Sequence, residues 1–335
     1  MNDRTLILTA ADVAAVLDTP SCIDAVERGQ RAFDATYATG ATAPTSLGLT
    51  LPDGSFHVKA AMLELDGRLF IAAKSNVNLP GNFARTGRPT IQGALTLLDA
   101  RTGQVLALMD SIVVTTLRTG AVTAVAARRL ALEDADTVTI VGCGEQGEIQ
   151  LRSVAAVRRL RRAFAVDVDP ARAESFSRRL SSALGIEIEP ARDLKTPIGR
   201  SQILVTATTA HDAFITAEHL HPGLFISAIG ADNPTKHEIA PAAMAASRVV
   251  ADSLTACGAS GDLHHAIAAG AMTADDVHGE LAAIVSGRAS GRTAVDEIFV
   301  LDSVGTAIQD VSTATMVYSR AIEERRGISV DLGGR

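Results

Sequence analysis

Apolar residues first recur at helical spacing, in "TAADVAAVLDTPSCIDAVERGQRAFDATYATG". That spacing predicts two helices opening the chain, with Thr9 as the N-cap of the first and Pro20 separating it from the second. From "TSLGLTLPDGSFHVKAAML" through "GRLFIAAKSNV" to "TIQGALTLLDARTGQVLALMD" the period shortens to brief apolar runs parted by Asp-Gly and Thr-Gly turns, which predicts an antiparallel meander. "SIVVTTLRTGAVTAVAARRLA" returns to helical spacing, with Ser111 as the expected cap and Ile112, Leu117, Val122, Val125 and Leu130 as the buried stripe. Beyond it, strands "TVTIV", "AFAVDV", "ILVTAT", "GLFISAIG" and "RVVADS" are interleaved with helices "GEIQLRSVAAV", "PARAESFSRRLSSAL" and "PAAMAAS". Such interleaving predicts a parallel sheet covered on both faces. The end, "EIFVLDSVGTAIQDVSTATMVYSRAI", reads as one more strand, a turn at Gly305 and a long helix. That helix is expected to return to the N-terminal sheet, making the first domain discontinuous.

Composition narrows the function classes. The 335 residues suit two domains, and 47% apolar residues are ample for packed cores. Aromatic residues make up 3%, Trp is absent and the net charge is −7, which excludes nucleic acid and other polyanions as natural partners. The run "RRLRR", Arg158 to Arg162, reads as the solvated end of a helix. "MNDRTLILTAADVAAVL" is broken by Asp3, Arg4 and Asp12 and is not read as a targeting segment. No stretch approaches ~20 apolar residues, so no membrane span is expected. Cys22, Cys143 and Cys257 are odd in number and far apart, fitting buried small residues in a reducing, cytoplasmic setting. No metal is expected: adjacent His264 and His265 point about 100° apart on a helix, and His219 and His221 have only Glu218 nearby. "GASGD", before His264, reads as a loop.

"TVTIVGCGEQGEIQ" carries the clearest chemistry. Gly142 allows a tight turn after the strand, Gly144 lets backbone approach a pyrophosphate, and Gly147 permits close helix packing, with phosphates at the helix N-terminus. Glu145 and Gln146 belong to the same cofactor-binding turn. The acid that should meet the ribose ends the next strand: Asp167, with Asp169 as second choice. A carboxylate there repels a 2′-phosphate, and Val168 follows where an arginine would favour NADP, so NAD is the expected cofactor and NADP the lesser choice.

Before this turn, two polar residues interrupt apolar surroundings: Lys74 in "FIAAKSNVNLPGN" and Arg118 in "VVTTLRTGAV". Thr116, Thr119 and Gly120 around Arg118 would let a ligand approach, and a planar guanidinium suits a carboxylate.

The ordered blocks "AAKSNVNLPGNFARTGRPTIQG", "MDSIVVTTLRTGAVTAVAARRLA", "IVGCGEQG", "IGADNPTKHEI" and "LDSVGTAIQD" resemble the ornithine cyclodeaminase and mu-crystallin family, over about Ala41 to Asp310. The resemblance implies a Rossmann-type doubly wound parallel sheet inserted into a discontinuous α+β domain. Residues 1–118 plus 306–335 would then bind substrate and dimerise, and residues 119–305 would bind NAD. It implies chemistry at an amino acid Cα–N bond, with a small amino or imino acid substrate and a homodimer. Carried over, Lys74 matches the lysine beside the substrate, Thr90 a neighbouring threonine, and Arg118 the arginine on the α-carboxylate. Asp232 matches the acid near the reacting amino group, and Ser303, Val304 and Gly305 the segment passing the nicotinamide. Thr119 joins the cofactor-binding set.

Two departures matter. Ornithine cyclodeaminases carry a second carboxylate-binding arginine in the segment matching "ATAPTSLGLT", and no arginine occurs here between Arg31 and Arg68. Their acid for the distal ammonium falls at about His57. Alternation puts His57 and Lys59 on one side of a strand, where Lys59 replaces the missing arginine on the carboxylate. The expected activity is therefore that of an amino acid dehydrogenase or imine reductase, with Lys74 and Asp232 catalytic. The alternatives are an ornithine or lysine cyclodeaminase that recycles NAD and a noncatalytic dinucleotide-binding protein.

Overall fold

The computed structural model describes residues 4–37 and 44–332. Residues 1–3, part of the stretch tested for a targeting segment, and 41–43, part of the segment compared for an arginine, lie outside them. The elements run β1 (Thr5–Leu8), α1 (Ala10–Val16), α2 (Thr19–Tyr37), β2 (Thr45–Leu51), β3 (Gly54–Leu65), β4 (Arg68–Asn78), α3 (Asn82–Thr86), β5 (Ile91–Asp99), β6 (Val105–Asp110) and α4 (Ser111–Leu130). Then come β7 (Thr137–Val141), α5 (Glu145–Ala155), β8 (Arg162–Val166), α6 (Pro170–Leu184), β9 (Glu187–Ala191), α7 (Lys195–Ile198), β10 (Ile203–Thr206), β11 (Phe225–Ala228), α8 (Pro241–Ala245) and β12 (Arg248–Ala251). The chain ends with α9 (Leu254–Ser260), α10 (Asp262–Ala268), β13 (Gly279–Glu280), α11 (Leu281–Ser286), β14 (Phe299–Asp302), α12 (Ala307–Glu323) and β15 (Ile328–Val330). It divides into two compact units, Met1–Arg118 with Thr306–Arg335, and Thr119–Gly305.

The first unit holds a seven-stranded sheet in the order β15-β1-β6-β5-β4-β3-β2. The predicted meander is its antiparallel part, β2 to β6. A strand, not a helix, opens the chain: β1 is four residues long, too short to show a period, and pairs parallel with β6. Thr9 caps α1 through a capping box with Asp12. Asp110, not Ser111, caps α4: its Oδ1 accepts from the Ile112 and Val113 N–H groups, while the Ser111 hydroxyl donates to Asn76.

α12 returns to this sheet and packs on α2, β3, β4 and β5. Residues Ala307 to Thr315 are all buried. Covered on every side, the helix carries small residues that let neighbours come close, and its few long polar side chains must find partners inside. The tightest approach is at Gly29 of α2, where a Cβ would lie 2.6 Å from the Ser312 Cβ.

The second unit is an eight-stranded parallel sheet, β13-β12-β14-β11-β10-β7-β8-β9. Every residue of β7, β10, β11 and β14 is buried, as expected where helices cover both faces of a parallel sheet. Between β7 and β10 the strand order reverses, and at such a switch point the carboxyl ends of the strands form a ligand crevice. Sequence periodicity missed β9, whose charged residues alternate outward, and the short α9, α10 and α11. "GASGD" is accordingly not a loop: it runs through α9 into α10, with Gly261 at the junction. The arginine run also differs from expectation. α5 ends at Ala155, and half-buried Arg158 donates to the Ala127, Ala131 and Leu132 carbonyls at the end of α4, a neighbouring helix.

In a helix interior Ala is favoured over Gly by about 1 kcal/mol, yet the Ser312 contact reverses the sign at position 29. Gly29→Ala is expected to lower the unfolding free energy by about 1–3 kcal/mol, with Ser312→Gly in the same chain restoring part of it. Urea denaturation of the two single variants and the double variant measures that coupling.

Candidate active site

In the first unit, antiparallel pairing places Lys59 of β3 directly opposite Lys74 of β4, and His57 opposite Asn76. Directly opposed side chains share a face, so His57, Lys59 and Lys74 point the same way, as alternation predicted for His57 and Lys59. Lys74 is 4% exposed and its Nζ donates to Asp310 Oδ1 at 2.9 Å. Arg118, 7% exposed, brings Nε within 3.4 Å of the same oxygen and donates through a terminal nitrogen to Gln309 at 2.8 Å. Arg118 therefore sits on the buried side of α4, and Ile112 and Leu117, both assigned to the buried stripe, are half-exposed. His57 is exposed, with Nε2 2.9 Å from the Ser55 hydroxyl. Half-buried Thr90 closes the loop before β5, its carbonyl accepting from the Leu79 N–H.

Burial sets the electrostatics of this cluster. It pulls the Lys74 ammonium down to about 7, aided by repulsion from Arg118 and Lys59 and opposed by Asp310. Burial alone would raise Asp310, but Lys74 and Arg118 overcome it and hold the carboxyl below its usual range. Asp310 and Gln309 were not singled out from sequence. The available signal was an amide and an acid in the first turn of an otherwise apolar helix.

In the second unit, Gly142 follows β7 with φ +99°, a backbone region open to glycine, and a Cβ there would lie 2.5 Å from the Ala207 carbonyl oxygen. At Gly147 a Cβ would lie 2.0 Å from the Gly142 carbonyl oxygen, so the turn and the first coil of α5 are in direct contact. Gly144, the N-cap of α5, has nothing within 4 Å of its would-be Cβ and no side-chain cap. Its space and the unsatisfied N–H groups of Glu145 and Gln146 fit a pyrophosphate. Asp167 accepts from the Cys143 and Asp169 N–H groups and is fixed at the end of β8. Asp169 caps α6 through Ala171. Thr119 gives its carbonyl to Gln150 of α5.

Asp232 is half-exposed and its Oδ1 lies 2.7 Å from Lys236 Nζ. Asn233, rather than Asp232, caps the following turn through the Thr235 and Lys236 N–H groups. Asp252, unnoticed in the sequence, accepts from the Ser303 hydroxyl and the Gly305 N–H, both at 2.7 Å. Glu238, also unnoticed, accepts from the Thr208 and Gly230 N–H groups after β10 and β11. The three cysteines are buried, and burial pushes the Cys22 and Cys143 thiols up to about 12. Among the described residues no group of three or more His, Cys, Asp or Glu is arranged to hold a metal ion, and no helix is long and apolar enough to cross a membrane.

The glycine turn at a parallel-sheet switch point, with an acid on the next strand, defines a dinucleotide-binding oxidoreductase class of fold. The chain belongs to the ornithine cyclodeaminase/mu-crystallin family, whose model matches residues 3–325. It is 32% identical to alanine dehydrogenase of Archaeoglobus fulgidus over 329 residues, 98% of each chain. Among solved structures it is similar to Thermococcus litoralis Δ1-pyrroline-2-carboxylate reductase in complex with NADH and L-proline, with TM-score 0.89 and 30% identity over 97% of this chain and all of the other. It is also similar to an archaeal alanine dehydrogenase dimer with bound NAD, with TM-score 0.90 and 31% identity over 98% and 99% of the two chains.

Adding one methyl at Gly147 forces the turn away from α5. Gly147→Ala is expected to weaken NADH binding by at least about tenfold, or about 1.4 kcal/mol, in a fluorescence titration, with the protein still folded by circular dichroism.

Proposed function

We propose that the chain is an NAD-dependent oxidoreductase acting on the Cα–N bond of a small α-amino or α-imino acid, as an amino acid dehydrogenase or imine reductase. The observation that carries this reading is Lys74: a buried lysine with its pKa drawn to about 7, bonded to Asp310 and flanked by Arg118. A group poised near neutrality serves either direction of proton transfer. The relatives support the same chemistry: one is an alanine dehydrogenase, and another a Δ1-pyrroline-2-carboxylate reductase in complex with NADH and L-proline.

In this reading the Gly142–Gly147 turn holds the pyrophosphate, Asp167 the ribose, and Thr119 and Ser303–Gly305 the remaining cofactor contacts. NAD, when bound, supplies the acceptor or donor of the hydride. Arg118 and Lys59 hold the α-carboxylate, with Thr90 and His57 beside it, and fixing that group supplies orientation. Lys74 gives a proton to the reacting group in reduction and takes one in oxidation. Asp232 receives the amine or iminium charge. Its bridge to Lys236 is half-exposed and therefore weak enough to yield to a ligand. A homodimer in the cytoplasm is part of the same proposal. It draws on the archaeal dimer and on Leu47 and Leu49, exposed on the edge strand β2.

Absorbance at 340 nm, on α-imino acids with NADH and L-amino acids with NAD, tests the reading. A stoichiometric change is expected, together with loss of turnover by about 10³-fold in Lys74→Ala and NADH affinity unchanged within about twofold. Ammonia release from ornithine or lysine with no lasting absorbance change would establish the cyclodeaminase reaction instead.

Because Lys74 acts protonated in reduction, kcat/KM for imine reduction should be level below about pH 7 and fall about tenfold per unit above it. For amino acid oxidation the sign reverses: the rate climbs to about pH 7 and then levels. Steady-state profiles in both directions check this, and parallel profiles would remove Lys74 from the proton transfer.

A further inference from the structure

Four carboxylates are buried at and beyond the carboxyl ends of the parallel strands in the second unit: Glu238, Asp252, Asp262 and Asp302, none more than 3% exposed. Most of their oxygens hold backbone. Glu238 takes the Thr208 and Gly230 N–H groups and the Thr206 hydroxyl. Asp262 Oδ1 takes the Glu238 and Ile239 N–H groups at 2.8 and 3.0 Å. Asp302 Oδ2 takes the Leu263 N–H at 2.9 Å. Asp252 takes the Ser303 hydroxyl and the Gly305 N–H, and the Cys257 thiol donates to it.

Two oxygens are left over. Asp262 Oδ2 and Asp302 Oδ1 are buried with no hydrogen-bond partner among the described residues. They belong to neighbouring carboxyls: a Cβ on Gly261, the residue before Asp262, would lie 2.3 and 2.7 Å from the two Asp302 oxygens. A buried ionised oxygen without a donor costs several times what an ordinary hydrogen bond contributes. Two carboxylates in one dry site relieve that cost by keeping a proton.

We propose that Asp262 and Asp302 hold one proton between them, and that this acid–carboxylate pair is a positioning element that sets the Ser303–Gly305 backbone for dinucleotide binding. The proposal rests on the reading of Ser303–Gly305 as cofactor-facing. The connection is covalent and short: Asp302 ends β14 and its carboxyl is fastened to the start of α10, while the Ser303 hydroxyl and the Gly305 N–H hang on Asp252. Losing the proton places two adjacent negative charges against Asp252, and their repulsion acts between the 302–305 segment and the 261–263 turn.

Burial and mutual repulsion both raise the pair, with Asp262 pushed up to about 7 and Asp302 well above its usual range. The groups facing it are Asp252 after β12, Glu238 before α8 and Cys257 of α9, whose thiol burial keeps neutral. His264 and His265 of α10, and His237 stacked on His265 at 4.0 Å, lie beyond. A raised carboxyl favours the organised state below the unfolded value near pH 4 and progressively loses that advantage as pH climbs through about 7 and above.

The test is NADH affinity by fluorescence titration of the full chain from about pH 6 to about pH 9, in wild type, Asp262→Asn and Asp302→Asn. Each amide keeps the acceptor oxygen and permanently supplies the hydrogen that the proton provides. The wild-type Kd should weaken about tenfold across the range, while both amide variants stay level within about twofold. The same decline in both variants, or no decline in the wild type, overturns the proposal. A second measurement needs no variant and no cofactor: the infrared stretch of a protonated buried carboxyl should be present in wild type at neutral pH and vanish at high pH. If NADH fails to bind at any pH, the cofactor reading fails and the infrared band alone decides the pair, its absence overturning the shared proton.

Discussion

Asp310 is 1% exposed, and an ionised carboxylate with so little water has to be compensated from within. Lys74 does so from β4 and Arg118 from the middle of α4, and Asp310 itself comes from a helix that joins the unit some 190 residues later in the chain. This ion cluster is what requires the C-terminal helix to return to the first sheet in one register. Replacing any one member with an apolar residue leaves a buried charge with a broken partner set, which is more damaging than never having had the cluster. Lys59, Lys74 and Arg118 all act on the one Asp310 carboxyl. A cluster of that sign suits an incoming carboxylate.

The second unit solves a different problem with the same residue type. At the carboxyl ends of parallel strands the chain turns sharply, and the turn N–H groups have no ladder partner. Asp167, Glu238, Asp252, Asp262 and Asp302 supply the acceptors, one after another along the sheet edge. The loops around the switch point are therefore held by carboxyl groups, while Gly144 has no side-chain cap at the start of α5. A pyrophosphate then meets N–H donors at one place and carboxylates everywhere behind it, which directs an anion to a single turn.

Much of this was legible in the sequence, for identifiable reasons. β7, β8, β10, β11 and β14 are short apolar runs set apart by helical segments or turns, and the glycines at 142 and 147 are required by backbone contacts that no other residue tolerates. The face shared by His57 and Lys59 followed from alternation alone, whereas the register of β3 and β4 was needed to add Lys74 to it. β1, β9 and β15 were not legible: β1 and β15 are only four and three residues long with no turn signal to set them apart, and β9 carries charged residues at alternate positions. Asp310, Asp252, Asp262 and Asp302 were invisible for another reason: an acid beside an apolar run looks the same whether it caps a helix at the surface or is locked inside. Only the neighbours brought by the fold distinguish the two. Arg158 shows the converse, a residue from a basic run that reads as solvated and is instead spent on three carbonyls of another helix.

The charge of the first unit's cluster also bears on which reaction in the family it favours. A cyclodeaminase must hold a substrate whose far end is an ammonium, and it needs an acid to meet that end. Lys59 stands directly opposite Lys74 in register, and His57 lies two residues along on the same face. Asp310 is already shared by Lys74 and Arg118. A distal ammonium entering beside Lys59 would meet like charge at short range, an unfavourable interaction that burial magnifies. A substrate with a short, uncharged or anionic side chain meets no such opposition. The lowered Lys74 points the same way, because the Lys59 and Arg118 charges that depress it would depress or expel another ammonium placed among them. The electrostatics that tune the acid–base group thus also select against diamino acids, and a dehydrogenase or imine reductase is the reaction that uses both consequences.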